Sequence, residues 1–124
     1  MGRIAPYLLY EDGAAAIEFL TRAFGFEEHM RMEGDGRIQH AELRLGDDSV
    51  MLGSPGPDYK SPRTADHYTA LVHVYVDDVD AHFERAKAAG AEILQEPTNQ
   101  EYGDRRYDAK DPEGHFWSFA TTTR

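Results

Sequence analysis

The chain has 124 residues, with 23 acidic against 13 basic side chains and a formal net charge of -10. That length suits one compact unit or two half-size modules sharing a core, and the charge argues against nucleic acid and anionic membrane as partners, since both recruit Lys and Arg. A small neutral or cationic ligand fits the field better. Without cysteine there is no disulfide framework, thiolate metal ligand or thiol nucleophile. No apolar run approaches the ~20 residues of a membrane span, and MGRIAPYLLYEDG lacks a signal peptide's basic and apolar segments, so a cytoplasmic location is expected.

In chain order, Ile4 to Tyr10 reads as a strand, with Pro6 tolerable near its start. Asp12 then caps a helix over Gly13 to Ala23 whose stripe is Ala16, Ile17, Leu20 and Phe24, and Gly25 ends it. Phe26 to Glu33 is a second strand, turning at Gly34-Asp35-Gly36. In the third strand, Arg37 to Leu45, His40, Glu42 and Arg44 take one parity and Ala41, Leu43 and Leu45 the other; Ser49 to Gly53 is a short fourth. Ser54 to Tyr68 carries three prolines and no periodicity, the signature of a linker or loop. Leu71 to Val76 sets Val72, Val74 and Val76 against Leu71, His73 and Tyr75, giving a face for a helix and a mixed face for a cavity wall. Asp77 or Asp78 caps the next helix, with Val79, Phe83 and Ala86 inward and Gly90 at its end. Ala91 to Leu94 is a strand, Gln95 to Gly103 a polar loop and Asp104 to Ala109 a strand; Asp111-Pro112-Glu113-Gly114 turns into the last strand, His115 to Thr121.

Ala5 to Gly25 and Ala70 to Gly90 therefore follow one plan, pairing Asp12 with Asp78 and Tyr7 with His73. This internal duplication, with DVDAHFERAKAAGAEI and the late YGDRRYDAKDPEGHFWSFA, resembles the vicinal-oxygen-chelate superfamily of glyoxalases, bleomycin-resistance proteins and extradiol dioxygenases. The resemblance covers nearly the whole chain and implies an α+β fold of two βαβββ modules, curved mixed sheets around a shared cavity, with module one at 1–53, a linker at 54–68 and module two at 69–124. It also implies metal ligands on the first and last strands of each module, which fall at Ala5 (or Pro6 with a one-residue slip), Leu52, Leu71 and Ser118. None offers the imidazole or carboxylate that a divalent ion needs, so no metal and no cofactor is expected.

The expected ligand-binding residues are Tyr7 and His73 on the first strands, His40 and Glu42 from the polar row, Arg105 and Tyr107 as a rim, and Ser118 on the last strand. Such a set offers aromatic surface, one carboxylate and a few directed hydrogen bonds. Each has an ordinary alternative: a hydrogen-bonded core histidine, a solvated sheet face or a surface hairpin with scattered ion pairs. Trp117 and Phe119 are expected under the second helix, and His29, His67, His82 and His115 in loops or on exposed faces. The leading reading is metal-independent binding of a small organic molecule, a basic aromatic one suiting the acidic charge, by a homodimer. The rival is a lyase, isomerase or dioxygenase working through Glu42 and His40 or through noncanonical metal ligands.

Overall fold

A computed structural model of the chain describes residues 2–123. The elements run β1 (Tyr7–Leu9), α1 (Gly13–Phe24), β2 (Glu27–Gly34), β3 (Arg37–Leu45), β4 (Asp48–Gly53), a one-turn α2 (Pro62–Ala65), β5 (Leu71–Tyr75), α3 (Val79–Ala88), β6 (Glu92–Asn99), β7 (Asp104–Lys110) and β8 (Phe116–Thr122). Two four-stranded sheets result, ordered β1-β4-β3-β2 and β5-β8-β7-β6. In each, the first strand pairs parallel with the last and the remaining pairs are antiparallel. The fold is α+β with two modules of one design.

Local chemistry accounts for both long helices. Asp12 accepts from the Ala15 N–H at 3.0 Å and Asp78, rather than Asp77, accepts from that of Ala81 at 3.1 Å, each satisfying an otherwise orphaned donor of the first turn. Gly25, at φ 81°, takes the left-handed conformation that ends α1. The buried stripes are Ala16, Ile17, Phe19, Leu20, Ala23 and Phe24 on α1, and Val79, Phe83 and Ala86 on α3.

These stripes meet one another. The helix-bearing faces of both sheets and the two helices share a single core, in which Phe24 of α1 lies 5.4 Å from the Trp117 ring and 4.7 Å from that of Phe119 on β8. The second anchor between modules is polar. Buried Asp111 accepts from the Tyr10 hydroxyl at 2.6 Å, from Trp117 Nε1 at 3.1 Å and from the backbone N–H groups of Glu113 and His115. Glu113 in turn accepts from the Glu11 and Asp12 N–H groups, clamping the last turn of module two onto the start of α1.

Three expectations about elements are corrected. Pairing in β1 begins at Tyr7, not Ile4, because Pro6 has no N–H to give, although its carbonyl still accepts from Met51. β6 continues to Asn99 through residues read as loop; Pro97 is tolerated because β6 is an edge strand with irregular register. The 54–68 segment, read as a linker or loop, holds the helical turn α2 and is strapped to both modules. Glu11 accepts from the Ser61 N–H and the Thr64 hydroxyl, and Arg63 donates to the Pro112 carbonyl and pairs with Glu92.

Candidate functional site

Each sheet has a second face, turned away from the helices, and on it the exposed apolar side chains collect. On the first sheet Tyr7, Met51, Glu42 and Met30 stand in register across four strands, followed by Leu9, Gly53, His40 and Met32. Tyr7, Leu9, Met30 and Met32 are 37–53% exposed. Unbranched thioether side chains adapt to irregular shapes, so this surface is soft as well as apolar. Its directed polar groups are His40, whose Nδ1 lies 3.0 Å from the Tyr7 hydroxyl, and Glu42, which lies 3.8 Å from Arg44 and 3.9 Å from His29.

The second sheet's open face carries more polar groups than the first. His73, Ser118 and Asp108 share one row, Tyr75, Ala120 and Arg106 the next, and Asp104 follows beside Thr122. Asp108 accepts from Arg106 at 2.8 Å and from the Ser118 hydroxyl at 2.9 Å. Asp104, 1% exposed, accepts from the Tyr75 hydroxyl at 2.8 Å and lies 3.9 Å from His73 Nε2. His73 and Tyr75 line a groove of about 810 Å³ that runs past the β5 edge to Phe24, Phe26 and Val50 of the first module. A smaller groove, about 340 Å³, lies between Tyr7 and Leu9 on one side and Leu71 and Phe116 on the other, roofed by Tyr59 and Tyr68.

Of the residues singled out in the sequence, the structure brings Tyr7, His40 and Glu42 together on one open face and sets His73 on the other. Four positions are corrected. Tyr107 is 0% exposed and belongs to the helix face of β7, against Phe83, so it forms no rim. Arg105 shares that parity and is held by Asp80 of α3 at 3.0 Å. Ser118 has the expected parity but is fully buried beneath its bond to Asp108. Leu52, at 0% exposed, also belongs to the helix face; the open-face position on β4 is Met51. On the open face the resemblance-implied set of Ala5 (or Pro6), Leu52, Leu71 and Ser118 thus has Met51 in place of Leu52. Among the described residues no cluster of three or more His, Asp or Glu is placed to hold one.

Three side chains gain significance only in the folded chain. Tyr75 shares the parity of His73, and Asp104 that of Arg106 and Asp108, a sequence signal that the expected site left unused for Asp104. His82, expected on an exposed face, is partly buried between the modules. Its Nε2 donates to the Phe24 carbonyl at 2.8 Å, so its Nδ1 accepts from the Tyr107 hydroxyl at 2.5 Å. Burial holds the His82 pKa below the ordinary histidine value, against the bond to Phe24, and burial alone pushes Tyr107 up.

Residues 2–119 match the family model described as the Glyoxalase/Bleomycin resistance protein/Dioxygenase superfamily. The uncharacterized protein Mb0911c of Mycobacterium bovis is 36% identical over 127 residues, spanning 98% of this chain and 84% of its own. Among solved structures, TioX from Micromonospora sp. ML1 is 37% identical, with 98% and 99% of the two chains covered and a TM-score of 0.81. The fosfomycin resistance protein FosX from Listeria monocytogenes superposes with a TM-score of 0.72 over 99% of this chain and 94% of its own; at 17% identity that likeness concerns the fold alone.

Proposed function

Because this chain belongs to the Glyoxalase/Bleomycin resistance protein/Dioxygenase superfamily, we propose that it is a cytoplasmic homodimer that binds a small, planar organic molecule without a metal. The observation that carries this reading is the grouping of Tyr7, Leu9, Met30, Met32, Leu71 and Tyr75, all 37–56% exposed, on the sheet faces that the helices leave uncovered. Contiguous exposed apolar surface of this kind marks a ligand groove or an interface. Here it serves as both: an open face of one copy closing on that of another leaves a cavity with aromatic walls, soft methionine flooring and the Tyr7–His40 pair and Glu42 as directed contacts. Metal independence rests on the donor set, since a methyl group, a thioether, an isobutyl group and a buried hydroxyl are poor substitutes for imidazole and carboxylate.

An enzyme acting through Glu42 and His40 is the second reading. It is favoured by the Tyr7 hydroxyl on His40 Nδ1, a contact that fixes the ring's orientation as a general base requires.

Titration of the purified protein with the planar dyes proflavine and acridine, followed by the dyes' own fluorescence and by thermal shift, tests the proposal. Trp117 is 0% exposed in the core and makes a poor reporter. Saturable binding by metal-free protein, with no chemical change in the dye, is expected. One tightly held equivalent of metal per chain, lost on mutating His40, Glu42 or His73, overturns metal independence. Failure of wild-type protein to bind either dye overturns the binding reading.

A further inference from the structure

We propose that Asp104 anchors a cationic, N–H-donating group of the bound molecule, a protonated amine or an amidinium-like cation. This rests on the binding function proposed above and assigns the charge recognition within it. Glu42, Asp108 and Asp104 are three of the carboxylates on the open faces, and their partners differ. Glu42 stands between Arg44 and His29, so neighbouring basic side chains already offset it. Asp108 is satisfied by the Arg106 guanidinium and the Ser118 hydroxyl. Asp104 uses Oδ2 for the Tyr75 hydroxyl, with His73 Nε2 at 3.9 Å from the same oxygen, while its Oδ1, fully buried, has no hydrogen-bond partner among the described residues.

A buried acceptor without a donor is a free-energy loss that few native groups carry, and it is recovered when a donor arrives. The surroundings specify that donor. The side chains nearest to Asp104, His73 and Tyr75, line the larger groove and meet edge to face at 4.9 Å. Tyr75, 56% exposed, both lines the groove and donates to Asp104, so it links the groove to the carboxylate. The same groove is lined by Asp48, Asp77 and Asp78 against the single guanidinium of Arg85, and the whole chain carries a net charge of -10. Both gradients draw cations inward. A bound metal is the poorer fit: Asp104 and His73 stand together here, but among the described residues no three His, Asp or Glu are placed to hold an ion.

Proflavine, a planar cation bearing amino groups at neutral pH, and acridine, its uncharged parent ring, separate charge recognition from ring binding. Wild-type protein is expected to bind proflavine about tenfold tighter than acridine or better, the worth of one charge-assisted hydrogen bond. Asp104→Asn should remove that preference and leave acridine affinity unchanged. Asp80→Asn, which removes the same charge from the outer surface of α3, should change neither. Without dye, Asp104→Asn should melt within about 3 °C of wild type, since no donor of the protein depends on Oδ1. The anchor is overturned if Asp104→Asn keeps the proflavine preference, if it weakens both dyes equally, or if it melts more than about 8 °C lower, the mark of a structural carboxylate. Equal affinity of wild type for both dyes also overturns it while leaving the binding function standing; wild type binding neither dye removes both.

Discussion

A Cβ at Gly53 would stand 3.0 Å from the Tyr7 hydroxyl and 2.8 Å from the Gln39 carbonyl oxygen, so the glycine is what lets Tyr7 reach across β4 to His40. Gly53→Ala is expected to break that bond and to cost about 1–3 kcal/mol by overpacking, read as a lower denaturation midpoint and altered His40 ring resonances. His82 makes a different prediction. Its folded pKa is lowered, so the unfolded chain takes up the proton first as pH falls. The stability of neutral, buried His82 is therefore full above the unfolded value near 6.5 and declines as pH drops through that value toward the folded one. Melting temperatures of wild type should fall over this window, and His82→Gln should flatten that limb. At Asp111 the expectation concerns stability alone: Asp111→Ala strands the Tyr10 hydroxyl and the Trp117 N–H in the core and should cost about 3 kcal/mol or more in chemical denaturation.

Among the elements, the two strand-helix units were the most legible, because a capping aspartate, a 3.6-residue stripe and a terminal glycine are all local signals. Asp12→Ala and Asp78→Ala should each lower stability by about 1 kcal/mol, measured by urea unfolding; equal losses would mark the two caps as equivalent. Period two in β3 likewise placed Ala41, Leu43 and Leu45 inward. It gave no such guidance in β7, where Arg105 and Tyr107 alternate with Asp104 and Arg106 and neither parity is plainly apolar. The α3 carboxylate of Asp80 and the ring of Phe83 decide that register, and both lie more than twenty residues away in the chain. The second half of β6 was missed for a related reason: Pro97 argues against a central strand, and only the sheet order makes β6 an edge.

For the molecule as a whole, the exposed open faces predict association. Sedimentation at micromolar concentration should give twice the chain mass, and charged substitutions at Met32 and Leu71 should return the protein to monomer without unfolding it. A wild-type monomer would remove the two-copy cavity and leave the grooves beside β1 and β5 as the binding surface. What the sequence by itself determined is the kind and order of most elements and the duplication that pairs them, because each depends on residues close together in the chain or on residue type alone. Which polar groups meet was decided only in the tertiary structure. Asp104 becomes a buried carboxylate with a spare oxygen, His82 a bridge between modules and Tyr107 a core ring, because burial and hydrogen-bond partners arise from strands and helices packed across dozens of residues, and a side-chain period states which residues share a face but not what that face touches.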